Sequence, residues 1–410
     1  MQKILLLLIS CFATVISNCL PENDTVVTTT DIKRNLLSFE YGSTEFALDM
    51  FRQLFYGSLN LFFSPFSVWL SLATIYIGSK HQTAKELSSV LGISDIDLAL
   101  LPSALNAFLE ICTGCKEDNK STVKIANRIY FQEDLQLKLC DQQVEKLFYK
   151  IDFKSDPEKA RVSINEFIEN QTNGKIQELI PPQSIDSFTQ MIIANAVYFK
   201  GIWKNQFNEK MTLPVPFYLD REINLTVPMM NTIGTYLYGF SNHMDCQAVE
   251  IPYDGGSINM LILLPRHSFR GLDILARTIT PERLEILLNS MISQEVLLTI
   301  PKFKVQQQYE LSKTLQMIGL RNLFDPRFSD FSGFTGTKGL SIDAIYHKSY
   351  IKVNEKGTEA AAATGALLSR DSHPLGIIRF YVDRPFMYCI RDSDSKVLLF
   401  MGTVKNPLVK

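Results

Sequence analysis

Side chains able to act as nucleophiles, general bases or metal ligands are few in this chain and poorly grouped. Of its 410 residues, five are His and seven are Cys. Cys112-Thr-Gly-Cys115 is the one close cysteine pair, and its spacing suits a local disulfide, a redox pair or two ordinary thiols. A structural zinc site needs four ligands, and no second C-x-x-C supplies them. Cys11, Cys19, Cys140, Cys246 and Cys389 are widely scattered, unlike the dense framework of a small disulfide scaffold. No G-x-S-x-G elbow and no H-E-x-x-H helix occurs. Gly333-Phe-Thr-Gly-Thr-Lys-Gly339 is rich in glycine but lacks the spacing of a phosphate loop. An enzyme reading has no residues to stand on, and nothing calls for a cofactor or a metal.

The segment with distinctive chemistry is a connection. Lys348 to Asn354 reads as a strand, and another begins near Ile377. Between them lie about 20 residues, where the usual connection is about 4 to 6; loops of that length are functional or disordered. Turn-forming residues are scarce, and Ala and Thr take their place. One reading is a short Ala-rich helix. The other follows a period of two. Thr358, Ala360, Ala362, Thr364, Ala366 and Leu368 form one uncharged set, and Glu359 is the only charge in the other before Arg370. Such a segment can enter a sheet as a strand and bury one face without burying a charge. A dozen new backbone hydrogen bonds at about 1 kcal/mol each would release on the order of 10 kcal/mol.

The elements around it must hold such a sheet. Phe46, Met50, Phe51, Leu54 and Phe55 recur at helical spacing. Ser64-Pro65 reads as an N-cap followed by Pro at the first helical position. Thr83-Ala-Lys-Glu86 reads as a capping box, and Thr280-Pro281 opens a further helix. Met191 to Phe199 is apolar apart from Asn195 and reads as a strand buried on both faces. Ile258 to Leu264, Val296 to Val305, Ile377 to Val382, Phe386 to Ile390 and Val397 to Val404 are also strand-like. The pattern is an α+β domain with more than one sheet.

Composition sets the outer bounds. The chain is 46% hydrophobic and 20% charged, with a net charge of −2, so it is globular and calls for neither nucleic acid nor an anionic membrane. Lys116, Lys120 and Lys124 form a short basic cluster that reads as solvated surface, with a polyanion partner as the alternative. Lys3 and the apolar run from Ile4 to Ile16 read as a signal peptide over residues 1–18, cleaved between 17 and 19. Residues 19–40 read as a polar lead-in and 41–408 as one domain. Asn23, Asn119, Asn170 and Asn224 begin glycosylation sequons, consistent with export. A secreted monomer is the expectation.

Ordered motifs along the mature chain resemble the serpin family. They are Asn60-Leu-Phe-Phe-Ser-Pro-Phe-Ser67, Ile125-Ala-Asn-Arg-Ile-Tyr-Phe131, Thr172-Asn-Gly-Lys-Ile176 and Asn195-Ala-Val-Tyr-Phe-Lys-Gly-Ile-Trp203. Asp330-Phe-Ser-Gly333, the segment from residue 355 to 364 and Arg384-Pro-Phe386 complete the set. The resemblance implies three β-sheets, eight to nine helices and an exposed reactive-centre loop at about 355–376. It implies a suicide substrate for a serine protease: the loop is attacked, an acyl-enzyme forms, and the cleaved loop inserts into the main sheet. Serpin insertion is a known instance of strand addition.

Residue roles follow from the same resemblance. Glu355, Gly357, Thr358, Glu359, Ala360, Ala361, Ala362, Ala363 and Thr364 match the hinge. Ser64, Ser67, Asn195 and His347 match the shutter cluster that governs opening of the sheet, and Trp203 matches the breach where the loop enters. The family count puts the reactive bond at Asp371–Ser372. One residue earlier, Arg370–Asp371 suits a trypsin-like protease with an acidic pocket floor, and is preferred. Leu368 is a third option. The rival is a non-inhibitory serpin acting as carrier or chaperone, against which the small residues of the hinge argue.

Overall fold

The computed structural model describes residues 29–96, 101, 105, 121–138, 147–267, 270–358 and 376–409. The N-terminal part holds α1 (Thr29–Phe55), β1 (Asn60–Phe63), α2 (Pro65–Tyr76), α3 (His81–Val90), β2 (Ser121–Gln132), β3 (Phe148–Ile151), α4 (Pro157–Gln171) and β4 (Met191–Ile202). Next come β5 (Leu213–Tyr218), β6 (Asn224–Ser241), β7 (Cys246–Pro252), β8 (Ile258–Pro265), α5 (Gly271–Thr278) and α6 (Pro281–Ser290). Then follow β9 (Ile292–Pro301), β10 (Phe303–Glu310), α7 (Ser312–Met317), α8 (Ser332–Thr335), β11 (Ala344–Asn354) and β12 (Gly357–Thr358). The chain closes with β13 (Ile378–Tyr381), β14 (Phe386–Asp392) and β15 (Leu398–Val404).

Eight α-helices among the described residues pack on two hydrogen-bonded sheets. The six-stranded sheet has the order β10-β11-β12-β4-β2-β3. The nine-stranded sheet has the order β1-β15-β14-β8-β7-β6-β9-β13, with β5 paired to β6. Three sheets were expected, and the long strand β6 explains the merger. It pairs with β5 from Asn224 to Met229, with β9 from Met229 to Tyr238, and with β7 from Leu237 to Ser241. One strand thus runs through two sheets.

The six-stranded sheet is covered on both faces. Ile193, Val197 and Phe199 of β4 join the main core with α1, α2 and the other sheet. Ile192, Ala194 and Tyr198 join a second core with Ile164 and Ile168 of α4. A strand between two apolar layers must be apolar at nearly every position, as Met191 to Phe199 is apart from Asn195.

Several local expectations change. α1 starts at Thr29, inside the stretch read as a polar lead-in. Phe39, seven residues before Phe46, is fully buried and extends the same apolar face. Thr83 and Glu86 form no capping box, because α3 begins at His81. Thr83 instead accepts the Asp330 amide at 2.9 Å, and Glu86 accepts the amides of Arg321 and Asn322. Their partners come from distant chain, which a local pattern cannot show. Val296 to Val305 divides into β9 and β10 at Lys302. Ser64 and Thr280 are side-chain N-caps, each with Pro following.

Candidate functional site

β11 and β4 are parallel neighbours that separate toward one end. They pair directly from Ala344–Ile192 to Tyr350–Tyr198. Beyond that point β12 enters between them, antiparallel to both. Val353 pairs with Thr358 and Asn354 with Gly357 on one side; Ile202 pairs with Gly357 and Gly201 with Thr358 on the other. Gly357 and Thr358, the third and fourth residues of the long connection, are therefore already a strand of this sheet.

The wedge is specific to its residues. Gly357 has φ 142°, in the region that favours glycine, and a Cβ there would lie 2.1 Å from the Gly201 carbonyl oxygen. Thr358 is fully buried, and its hydroxyl is 2.9 Å from that of Tyr253. Tyr253 stacks on Trp203 with ring centroids 4.4 Å apart, and burial pushes its phenol pKa up. Trp203 holds the preceding turn twice: its indole donates to Asn354 O at 2.9 Å, and its amide donates to Lys356 O at 3.0 Å. The Phe207 amide donates to Glu355 O at 2.8 Å.

Glu355 closes the turn on the other side. Its carboxylate accepts from Thr212 Oγ1 at 2.7 Å and Lys302 Nζ at 2.9 Å. Burial alone would raise its pKa, but the hydrogen bonds from Lys302 and Thr212 outweigh it and hold the carboxyl below its ordinary value.

Below the wedge, where β11 and β4 pair directly, the four residues expected to form the shutter cluster meet. The Ser64 amide donates to His347 Nε2 at 3.0 Å. That nitrogen must therefore carry the lone pair, which assigns the proton to Nδ1. Nδ1 lies 2.7 Å from Asn195 Oδ1, which also accepts from Ser67 Oγ at 2.8 Å. Ser64 Oγ donates to Leu399 O at 2.7 Å and caps α2 by accepting the Ser67 amide. His347 is fully buried, and burial lowers its pKa to about 3, so the ring is neutral. Asn195 Nδ2 and Asn127 Oδ1 are buried without a partner, on residues directly opposite each other in β4 and β2.

The outer face is strapped across by the chain after α4. Buried Lys348 donates from Nζ to Gln177 O at 2.6 Å, and Gln308 donates to Leu179 O at 2.8 Å. These bonds tie the strap to β11 and β10.

Glu355, Gly357, Thr358 and Trp203 thus gather at the wedge, and Ser64, Ser67, Asn195 and His347 meet below it where β11 and β4 pair directly. Glu359 to Thr364, Leu368, Arg370, Asp371 and Ser372 lie outside the described residues, as do Asn23, Asn119, Cys112, Cys115 and the Lys116–Lys120 cluster. Asn170 in α4 and Asn224 at the start of β6 are exposed. Cys246 and Cys389 are buried free thiols. Sequence motifs missed Tyr253, Lys302 and Thr212, whose partners lie 53 to 143 residues away.

Fold and cleft define a class: an α+β protein whose main sheet parts between two parallel strands and takes in the start of a following loop. A family model described as Serpin (serine protease inhibitor) matches residues 41–407, and the chain belongs to the serpin family. It is 35% identical over 378 residues to leukocyte elastase inhibitor A of Mus musculus, covering 89% of this chain and 98% of that protein. It is 33% identical over 377 residues to leukocyte elastase inhibitor of Bos taurus, with the same coverage of 89% and 98%. Serpin48 of Tenebrio molitor superposes with a TM-score of 0.78 at 27% identity, covering 90% of this chain and 98% of that structure. Where the missing catalytic motifs gave only a negative expectation, the family supplies a positive finding: it is one of serine protease inhibitors, and these relatives are named as elastase inhibitors.

Proposed function

We propose that the chain is an exported serpin that traps a trypsin-like serine protease, with Arg370–Asp371 as the reactive bond. The observation that carries this reading is the pairing of Gly357 and Thr358 between β11 and β4. Extended by the same register, Glu359 would face Lys352 and Lys200, and Thr364 would fall between His347 and Asn195. Small residues suit the rest of the path, since Tyr350 and Tyr198 already crowd it with ring centroids 6.1 Å apart. Full insertion separates His347 from Asn195, so the shutter contact resists opening until the cleaved loop supplies new backbone bonds. The apolar run after Lys3 and the exposed sequons at Asn170 and Asn224 support export.

A second reading follows the relatives named leukocyte elastase inhibitor. An elastase-type pocket takes a small apolar side chain, which would move the bond to Leu368. Mass spectrometry of the C-terminal fragment, after reaction with trypsin and with elastase, separates the two. A fragment beginning at Asp371 is expected. One beginning at Ser372 or Ser369 overturns the Arg370 assignment.

A further inference from the structure

Asn127 and Asn195 are a directly opposed pair in β2 and β4. Asn127 stands between Ile125 and Ile129, and Asn195 between Ile193 and Val197, all four packed in or against the core shared with α2. Both amides therefore leave the sheet on the same face, from Cβ atoms about 5 Å apart. In the closed sheet each is committed to other partners. Asn127 Nδ2 donates to Ser67 O at 3.2 Å, while Asn195 Oδ1 accepts from His347 Nδ1 and Ser67 Oγ. What remains is one donor, Asn195 Nδ2, and one acceptor, Asn127 Oδ1, each buried with no partner among the described residues. An unpaired buried polar atom is destabilising, and here a donor and an acceptor of matching kind sit on neighbouring side chains.

Opening the sheet between β11 and β4 changes these partners unequally. β2 and β4 pair without a break from Ser121–Gly201 to Phe131–Met191, so Asn127 and Asn195 stay opposed. A strand entering between β11 and β4 moves His347 away from Asn195 by about 5 Å, one strand spacing. Asn195 then loses the contact that fixes its amide, and a side-chain rotation brings its Nδ2 to Asn127 Oδ1. We propose that Asn127 is a positioning residue for insertion: its Oδ1 accepts from Asn195 Nδ2 once His347 has withdrawn, so the pair is bonded in the opened sheet and unbonded in the closed one. The closed form carries two orphaned atoms, and the opened form satisfies both. This rests on the insertion reading above and adds a residue outside the cluster of Ser64, Ser67, Asn195 and His347.

The test times the uptake of a synthetic peptide with the sequence from Glu359 to Leu368 by the intact full chain, read as the rise in its thermal midpoint. Asn127→Leu keeps the side-chain volume but removes the acceptor. Uptake should slow about fivefold, the effect of one hydrogen bond missing from the opened sheet. Asn127→Ser, whose hydroxyl is one bond shorter, is the milder variant and should slow uptake in the same direction. The sign separates this role from a merely structural one. Loosening a contact that only holds the closed sheet would lower the intact midpoint and speed uptake. Uptake by either variant at the parent's rate or faster overturns the proposal and leaves the insertion reading standing. No uptake by the parent overturns the insertion reading, and the proposal with it.

Discussion

His347 and Asn195 lie directly opposite each other in parallel strands, and His347 Nδ1 meets Asn195 Oδ1 at 2.7 Å. The same contact joins β11 to β4 and, through Ser64 and Ser67, joins both to the start of α2. It works only while the ring is neutral, since Nε2 accepts the Ser64 amide.

That requirement makes stability depend on pH. Burial lowers the folded pKa of His347 to about 3, below the ordinary value of 6.5. The unfolded chain then binds the proton more readily, so stability is full above the unfolded pKa and falls as pH drops from about 6.5 toward 3. The loss should total a few kcal/mol at the acid end. Urea unfolding between pH 7 and pH 4 checks this: His347→Gln should flatten the slope, and an unchanged slope would remove His347 as its source.

Gly357→Ala should expel β12 from the sheet. The new Cβ would collide with backbone at Gly201, and alanine at φ 142° adds strain, together costing about 1–3 kcal/mol. Hydrogen exchange at Thr358 should rise, and a protease should cut the loop with less trapping per cleavage. A variant that traps as well as the parent would show that early pairing of Gly357 is dispensable.

Breaking the Glu355–Lys302 pair should loosen the turn above the cleft. Glu355 is nearly buried and Lys302 is about one-third exposed, so Glu355→Gln should cost about 1–2 kcal/mol after solvent screening. A double-mutant cycle with Lys302→Met measures the coupling. Additive effects would show that the two side chains are neighbours without being partners. The depressed pKa of Glu355 adds to the acid sensitivity: its contribution is present above the unfolded carboxyl value and is lost as pH falls through the folded one.

Lys348→Met keeps the packing volume but removes the donor to Gln177 and Glu178. Amides from Ile176 to Ile180 should then exchange faster, while those of β14 and β15 stay protected. Uniform loss of protection would mean global destabilisation and no local strap.

Much of this site was legible because its residues sit in ordered motifs. Ser64 and His347 are 283 positions apart, yet each lies in a stretch whose type and order mark it. The apolar run around Asn195 signalled a doubly buried strand, and the two-residue alternation after Gly357 signalled a segment able to enter one. Contacts made by unmarked residues were not legible. Tyr253 supplies the hydroxyl beside Thr358 from a bridge opposite Trp203, and nothing in its local sequence points there. The same holds for Thr83, which looks like a helix cap until Asp330 arrives from 247 residues away. Pairing through the length of β6 likewise depends on partners before and after it, so the merging of two sheets could not be read from its own 18 residues.

The central claim is that the cleft between β11 and β4 accepts the loop as a full strand. Thermal unfolding before and after a single cut in residues 359–375 tests it most directly. A dozen added backbone hydrogen bonds at about 1 kcal/mol each should raise the midpoint by on the order of 20 °C, with both fragments retained. A cut chain that melts at the same temperature as the intact one would contradict it.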